Sequence, residues 1–235
     1  MPEQRIHVGL LYDVYPSGVK EAFYHASAGL AARIDHLAIA EQTHLVSLSS
    51  IAASLPAYYT LATTQGASSL GRYPLLHGEE TNLALKHDML TKKRTRDAFR
   101  ARHFGKECQR RIVIGNAVLA QVLPLAEDPY RAALHIRADL LAAFDAVFAK
   151  VDILVAPVTI TPPPTAEAAK EMTAVETYMN DMLTIPISMA GLPTIVLPDV
   201  GADGQATGYG LQLCAARGRD AFLLHLAEQL EAARK

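Results

Sequence analysis

V-E-T-Y-M-N-D-M-L-T-I-P-I-S-M-A-G-L-P-T-I-V-L-P occupies residues 175–198, and from Met182 to Pro198 it carries no charged side chain. Most of that segment is therefore expected to be buried. Asp181 stands at its mouth, between apolar neighbours. A carboxylate held against apolar surface stays ionised only where a cation or several donors meet it. Two partners fit: a structural Arg or Lys, or the ammonium group of a bound ligand. After the Ala190-Gly191-Leu192-Pro193 turn, Thr194 to Pro198 is a short apolar run closed by proline, which predicts a buried strand.

Working outward, Gly201 to Gly208 is a turn rich in Gly and Asp, and Gly210-Leu211-Gln212-Leu213-Cys214 is a strand suited to pair antiparallel with 194–198. Arg219 to Arg234 closes the chain as an amphipathic helix with Phe222, Leu223, Leu226 and Leu230 inward. Upstream, Asp152 to Ala156 reads as a buried strand ending at Pro157. Three consecutive prolines make 159–165 an extended loop. Tyr130 to Lys150 is a helix with Ala133, Ile136, Leu140, Phe144 and Val147 on its buried side. At the other end of the chain, Arg5–Tyr12 and His44–Leu48 read as strands flanking a helix from Ser17 to about Ile34. That β-α-β order predicts a parallel pair with a crossover. Ser54 caps a helix that runs past Tyr58 toward Leu70.

The 235 residues, half of them hydrophobic, suit one α/β domain over 1–235. A formal net charge of −2 predicts neither nucleic-acid nor membrane-surface binding from bulk electrostatics. Cys108 and Cys214, far apart and in apolar patterns, suit reduced thiols of an intracellular protein. The start shows no signal or transit segment, and no run approaches membrane-spanning length. The nine histidines form no metal-ligand spacing, and no phosphate-cradling Gly-rich loop is present, so no metal or cofactor is implied. Seven Lys/Arg against two Asp between Lys86 and His103 lack the aromatic platforms of an RNA site, and read as a solvated helix face.

Phe104 to Val122 reads as one long helix. Phe104, Cys108, Arg111, Gly115, Val118 and Val122 recur at helical spacing, which places Arg111 inside an apolar stripe. Such an arginine is either structurally paired or snorkelling, or it presents its guanidinium fork to a carboxylate in a pocket.

Four blocks resemble the carboxy-terminal half of the amidase signature family, and within it the A subunits of glutamine-dependent amidotransferases. They are L-P-A-Y-Y-(x)5-Q-G-A-S-S-L-G-R-Y (55–73), F-G-K-E-C-Q-R-R-I-V-I-G (104–115), D-I-L-V-A-P-V-T-I-T-P (152–162) and Y-M-N-D-M-L-T-I-P-I-S-M-A-G-L-P (178–193). The resemblance implies a mixed β-sheet covered by helices, with only half of the family fold present. It implies a pocket for free glutamine. Arg111 takes the α-carboxylate, Asp181 the α-ammonium, and Tyr58 lines the pocket and offers a hydroxyl.

The family's Lys-Ser-Ser machinery lies in its amino-terminal half, with the nucleophilic serine on a Gly/Ser-rich stretch, and this sequence has no such stretch. No catalytic residue is therefore assigned. Ser69, Gln65 and Pro74 also stand where the family usually has Asn, Glu and Asp. Three identities fit: the substrate-binding half of a split amidotransferase, an inactive scaffold in a larger assembly, or a fragment of a full-length family member. The first two imply protein partners covering exposed sheet, such as other amidotransferase subunits. tRNA enters only indirectly, as carrier of the ammonia acceptor, and the compartment implied is a mitochondrial matrix or a bacterial-type cytoplasm.

Overall fold

The computed structural model describes residues 6–11, 40–46, 48–70, 93–121, 128–159, 163–200 and 206–232. Expectations for the crossover helix at 17–34 and the loop at 74–82 lie outside them. The chain divides into two compact units, one of residues 1–55 and 136–235, the other of residues 56–135.

The first unit holds a five-stranded mixed sheet. Its strands are β1 (Ile6–Leu11), β2 (Ala40–Val46), β3 (Ile153–Pro157), β4 (Thr194–Val200) and β5 (Ala206–Ala215), in the order β2-β1-β3-β5-β4. β1 pairs parallel with both β2 and β3, and β5 pairs antiparallel with both β3 and β4. The expected parallel pair and the expected 194–198/210–214 hairpin are both present. β3 is the pivot between the two pairing modes. Every residue of Ile-Leu-Val-Ala-Pro is buried, as an apolar run covered on both faces requires. Its start is fixed by Asp152, whose carboxylate accepts the His7 N–H at 2.9 Å and whose own N–H donates to the His7 carbonyl at 2.8 Å. Gly9 lets β1 approach closely, since a Cβ there would lie 3.0 Å from Val46 and 3.2 Å from Leu154.

β4 departs from the buried strand expected at 194–198. It is the last strand of the sheet; Leu197 is buried, but Thr194, Val196 and Pro198 are exposed, Val196 to 51%. Proline cannot donate to a ladder, so Pro198 suits an outermost strand. The closing helix (Asp220–Ala232) packs on β4 and β5 through Leu223, Leu226 and Leu230, all buried. Phe222 is only half-buried, with the Arg219 guanidinium 4.5 Å from its ring centroid.

In the second unit, α1 (Ser54–Leu70) begins in the first unit and runs on, followed by α2 (Lys93–His103) and α3 (Lys106–Leu119). α4 (Pro129–Phe148) belongs to this unit up to His135 and to the first from Ile136. Ser54, buried, donates its hydroxyl to the Ile51 carbonyl at 2.6 Å at the start of α1. The helix expected from Phe104 to Val122 is present as α3 with trimmed ends: Phe104 and Gly105 lie before it, and Gly105, with extended backbone, is its N-cap. The Gln109 amide spans the break, donating to the Phe104 carbonyl at 2.6 Å and the Ala101 carbonyl at 3.3 Å. Among the described residues, no helix is long and apolar enough to cross a membrane.

Candidate functional site

Arg111 lies in the second turn of α3, one turn after Glu107. A glutamate four residues before an arginine is the favourable orientation for a helix-surface pair, and here it forms. The Glu107 carboxylate accepts from Arg111 Nε at 2.8 Å, and from Arg110 Nε and Nη2 at 2.8 Å each. Those donors, Arg110 foremost and then Arg111, hold the Glu107 carboxyl at about 2, against an ordinary 4.5. The same hydrogen bond to Glu107 holds the Arg111 guanidinium above its ordinary value, with partial burial opposing.

The Arg111 side chain is 43% exposed and its guanidinium stands 5.9 Å from the Tyr59 ring centroid. Tyr59 in turn meets Tyr58 edge-on, with centroids 5.2 Å apart and planes at 77°. Glu107 takes only the Nε of Arg111. Its terminal Nη pair has no acceptor among the described residues, and that pair is one edge of the fork that grips a carboxylate. The apolar stripe does not single out Glu107; its position four residues before Arg111 is the signal that does.

The two helices that carry Tyr58 and Arg111 cross at Gly115. A Cβ there would overlap the Thr63 carbonyl and come within 2.9 Å of the Ala67 Cβ. Hydrogen is the only side chain that allows this approach. α1 is itself threonine-rich, and Thr60, Thr63 and Thr64 return their hydroxyls to carbonyls four residues earlier, at 2.7 to 3.0 Å. The polar groups of that face are thus satisfied locally. Gln65 and Ser69 are exposed on the same helix, and Pro74 lies outside the described residues.

Asp181 belongs to the other unit and is exposed. It lies between two short helices, α6 (Ala174–Met179) and α7 (Ile185–Ala190), with α5 (Ala166–Glu171) preceding them. α6 starts on a reciprocal cap: the Thr173 hydroxyl accepts the Glu176 N–H at 3.2 Å, and the Glu176 carboxylate accepts the Thr173 N–H at 2.7 Å. The Asp181 carbonyl accepts from Thr184 and Ile185 N–H at 3.2 and 3.0 Å, so its backbone is pinned at the start of α7.

α7 is a helix within the apolar run that the sequence pattern leaves unassigned. It ends at Gly191, whose left-handed backbone (φ 65°) closes it, and Ile185, Pro186, Ile187, Met189 and Ala190 are buried as that run requires. Arg137 Nε donates to the Met189 carbonyl at 3.0 Å. Arg217 donates to the Ala190 carbonyl at 3.5 Å while gripping Asp145 at 2.7 and 2.8 Å. Two cations at a helix C-terminus also suit its dipole.

Gln212 ties the turn to the sheet. Buried in β5, it donates its amide to the Pro157 carbonyl and to the Leu183 carbonyl, at 2.9 Å each. It is a positioning residue for the Asp181 turn. A lone amide in an otherwise apolar strand is the sequence signal that points to it.

The amidase family profile matches residues 3–224. The chain is 34% identical over 204 residues to the A subunit of mitochondrial glutamyl-tRNA(Gln) amidotransferase from Candida albicans (strain WO-1), covering 79% of this chain and 42% of that protein. It is 31% identical over 235 residues to the A subunit of glutamyl-tRNA(Gln) amidotransferase from Picosynechococcus sp., covering 98% and 46%. The crystal structure of the A subunit of glutamyl-tRNA(Gln) amidotransferase from Thermotoga maritima superposes with a TM-score of 0.57 at 20% identity, over 97% of this chain and 42% of that one. The chain thus spans less than half the length of the curated relatives it matches.

Proposed function

Because the chain belongs to the amidase family, as its matched span establishes, we propose that it is the glutamine-binding half of an amidotransferase of the A-subunit type, completed by a second polypeptide that carries the Lys-Ser-Ser half. The observation that carries this reading is the Arg111 terminal Nη pair, turned to no acceptor among the described residues and set beside the Tyr59 and Tyr58 rings. A guanidinium edge of that kind recognises a planar carboxylate better than a point charge does.

In this reading Arg111 binds the α-carboxylate of glutamine, Asp181 the α-ammonium, and Tyr58 offers its hydroxyl and ring to the body of the substrate. Gripping both ends of the zwitterion fixes where the side-chain amide sits, which is the contribution of orientation to catalysis. The serine of the completing half attacks the amide carbonyl. Its proton passes through the lysine relay to the departing nitrogen, ammonia leaves, and water releases glutamate from the acyl-enzyme. The ammonia goes on to an activated acyl group.

Co-expression of this chain with a polypeptide bearing the Lys-Ser-Ser half is expected to yield glutaminase activity that neither chain has alone. Arg111→Ala and Asp181→Asn are expected to raise KM for glutamine at least tenfold, with a smaller change in kcat, since a charged hydrogen bond contributes about 1.5–3 kcal/mol. Absence of activity in the reconstituted pair would overturn the reading.

A second reading has its own observation. Arg111 already has an ion-pair partner in Glu107, which is what an inactive family-fold scaffold requires. In that case a stable complex forms with a partner, and calorimetry detects no glutamine binding to it.

A further inference from the structure

A cleft of about 810 Å3 opens between α2 and α3, lined among others by Asp97, Arg100, Ile112, Val113, Asn116 and Leu119. It is distinct from the Arg111 face. At 100° per residue, the α3 residues that line it centre about 140° around the helix from Arg111.

Three features of the cleft point to an occupant. Its wall is apolar and uncovered, Val113 being 67% and Leu119 51% exposed. The Arg100 side chain is mostly buried in it. Its Nε has no hydrogen-bond partner among the described residues, and Nη1 stands 3.7 Å from Asp97, beyond hydrogen-bond reach. That Nε is sealed from solvent, but the side chain keeps 17% of its surface exposed, so a carboxylate in the cleft adds a partner to a guanidinium whose Asp97 contact is as long as 3.7 Å. The third feature is charge. Residues 93–111 hold eight Lys/Arg against Asp97 and Glu107, in a chain of net charge −2, and Arg102 and Lys106 are exposed at the connection between α2 and α3.

We propose that this cleft is a docking site for an acidic amphipathic helix of a partner polypeptide, with apolar side chains seated on Val113 and Leu119 and a carboxylate meeting the exposed part of the Arg100 guanidinium. A helix laid in a groove places anchors at i, i+3, i+4 and i+7, the same spacing as the α3 wall. An RNA strand takes stacking platforms and phosphate contacts instead; the aliphatic wall offers no stacking surface. The proposal stands apart from the glutamine reading and does not need it.

The test uses the full chain and three fluorescein-labelled synthetic helical peptides of about twenty residues, one Glu/Leu amphipathic, one Glu/Ser of equal charge and one Lys/Leu, with a single-stranded RNA oligomer beside them. Anisotropy is expected to show the Glu/Leu peptide binding at least tenfold tighter than the other two, and tighter than the RNA. Val113→Glu and Leu119→Glu, both at exposed positions, are expected to abolish that preference with the far-ultraviolet dichroism unchanged, and Arg100→Gln to weaken it. Equal binding of the Glu/Leu and Glu/Ser peptides, preferred binding of RNA, or a preference untouched by Val113→Glu overturns the proposal.

Discussion

At the scale of single residues, the sharpest test lies in Glu107. Its carboxyl is held at about 2 by the guanidinium groups of Arg110 and Arg111. A carboxyl depressed on folding adds stability that is fully present above the unfolded value of about 4.5, and that stability is lost as pH falls toward 2. The Glu107 carboxyl carbon, followed by NMR, is therefore expected to show no titration step between about pH 5 and pH 3 while the chain stays folded. A midpoint near 4.5 would mean that both arginines let go in solution. The pair is exposed, so Glu107→Gln is expected to cost at most about 0.5 kcal/mol at neutral pH. If the proposed glutamine site is right, the larger effect is expected on recognition: losing the Nε anchor loosens the whole guanidinium, so glutamine affinity in the reconstituted pair is expected to fall with little change in stability. This residue also marks what the apolar stripe conceals. Periodicity places Arg111 on its helix face but reports nothing about the acidic neighbour one turn back, because hydrophobic spacing carries no charge information.

At the scale of elements, two glycines on crossing helices make opposite predictions. Gly115 meets the Thr63 backbone, whereas a Cβ at Gly66 meets nothing within 4 Å. Gly115→Ala therefore forces α1 and α3 apart and is expected to destabilise the chain by about 1–3 kcal/mol. Gly66→Ala, in mid-helix, is expected to stabilise by about 0.4–1 kcal/mol, chiefly by restricting the unfolded chain. Thermal unfolding of the two variants checks both signs, and equal shifts would show that the helices do not cross where Gly115 indicates. These glycines also show which elements are legible in sequence. Gly66 reads as a weak point of α1 and the helix continues through it, since one glycine costs less than a packed helix gains. Phe104-Gly105 reads as helical and is a break, because a cap glycine and a mid-helix glycine look alike without the carbonyls that Gln109 satisfies. α7 is hidden by its composition: an all-but-apolar six-residue helix has no polar face, so no period distinguishes it from a buried strand. β4 reads as buried because apolar content reports affinity for the core but not position in the sheet.

At the scale of the whole chain, the two cysteines report separately on its two units. Cys214 lies in β5, buried, with its thiol pushed up to about 12 by that burial; Cys108 lies in α3 of the other unit and is half-buried. At pH 8 a thiol of that kind is thiolate in only about one molecule in ten thousand, and alkylation requires thiolate. Cys214 is therefore expected to react with iodoacetamide only through opening of the sheet, at a rate that climbs with denaturant as the unfolded population does. Cys108 is expected to react in the native chain at a rate nearly independent of denaturant. The same label weighs the split-enzyme reading from outside the active site. A completing half that binds the folded form, and not the unfolded one, lowers the open population by the factor 1 + [L]/Kd. With the half present at a hundredfold its Kd, labelling of Cys214 is expected to slow about a hundredfold while labelling in full denaturant stays unchanged. An unchanged native rate would show that the added polypeptide does not engage the unit that carries the sheet and Asp181, whatever activity the mixture displays.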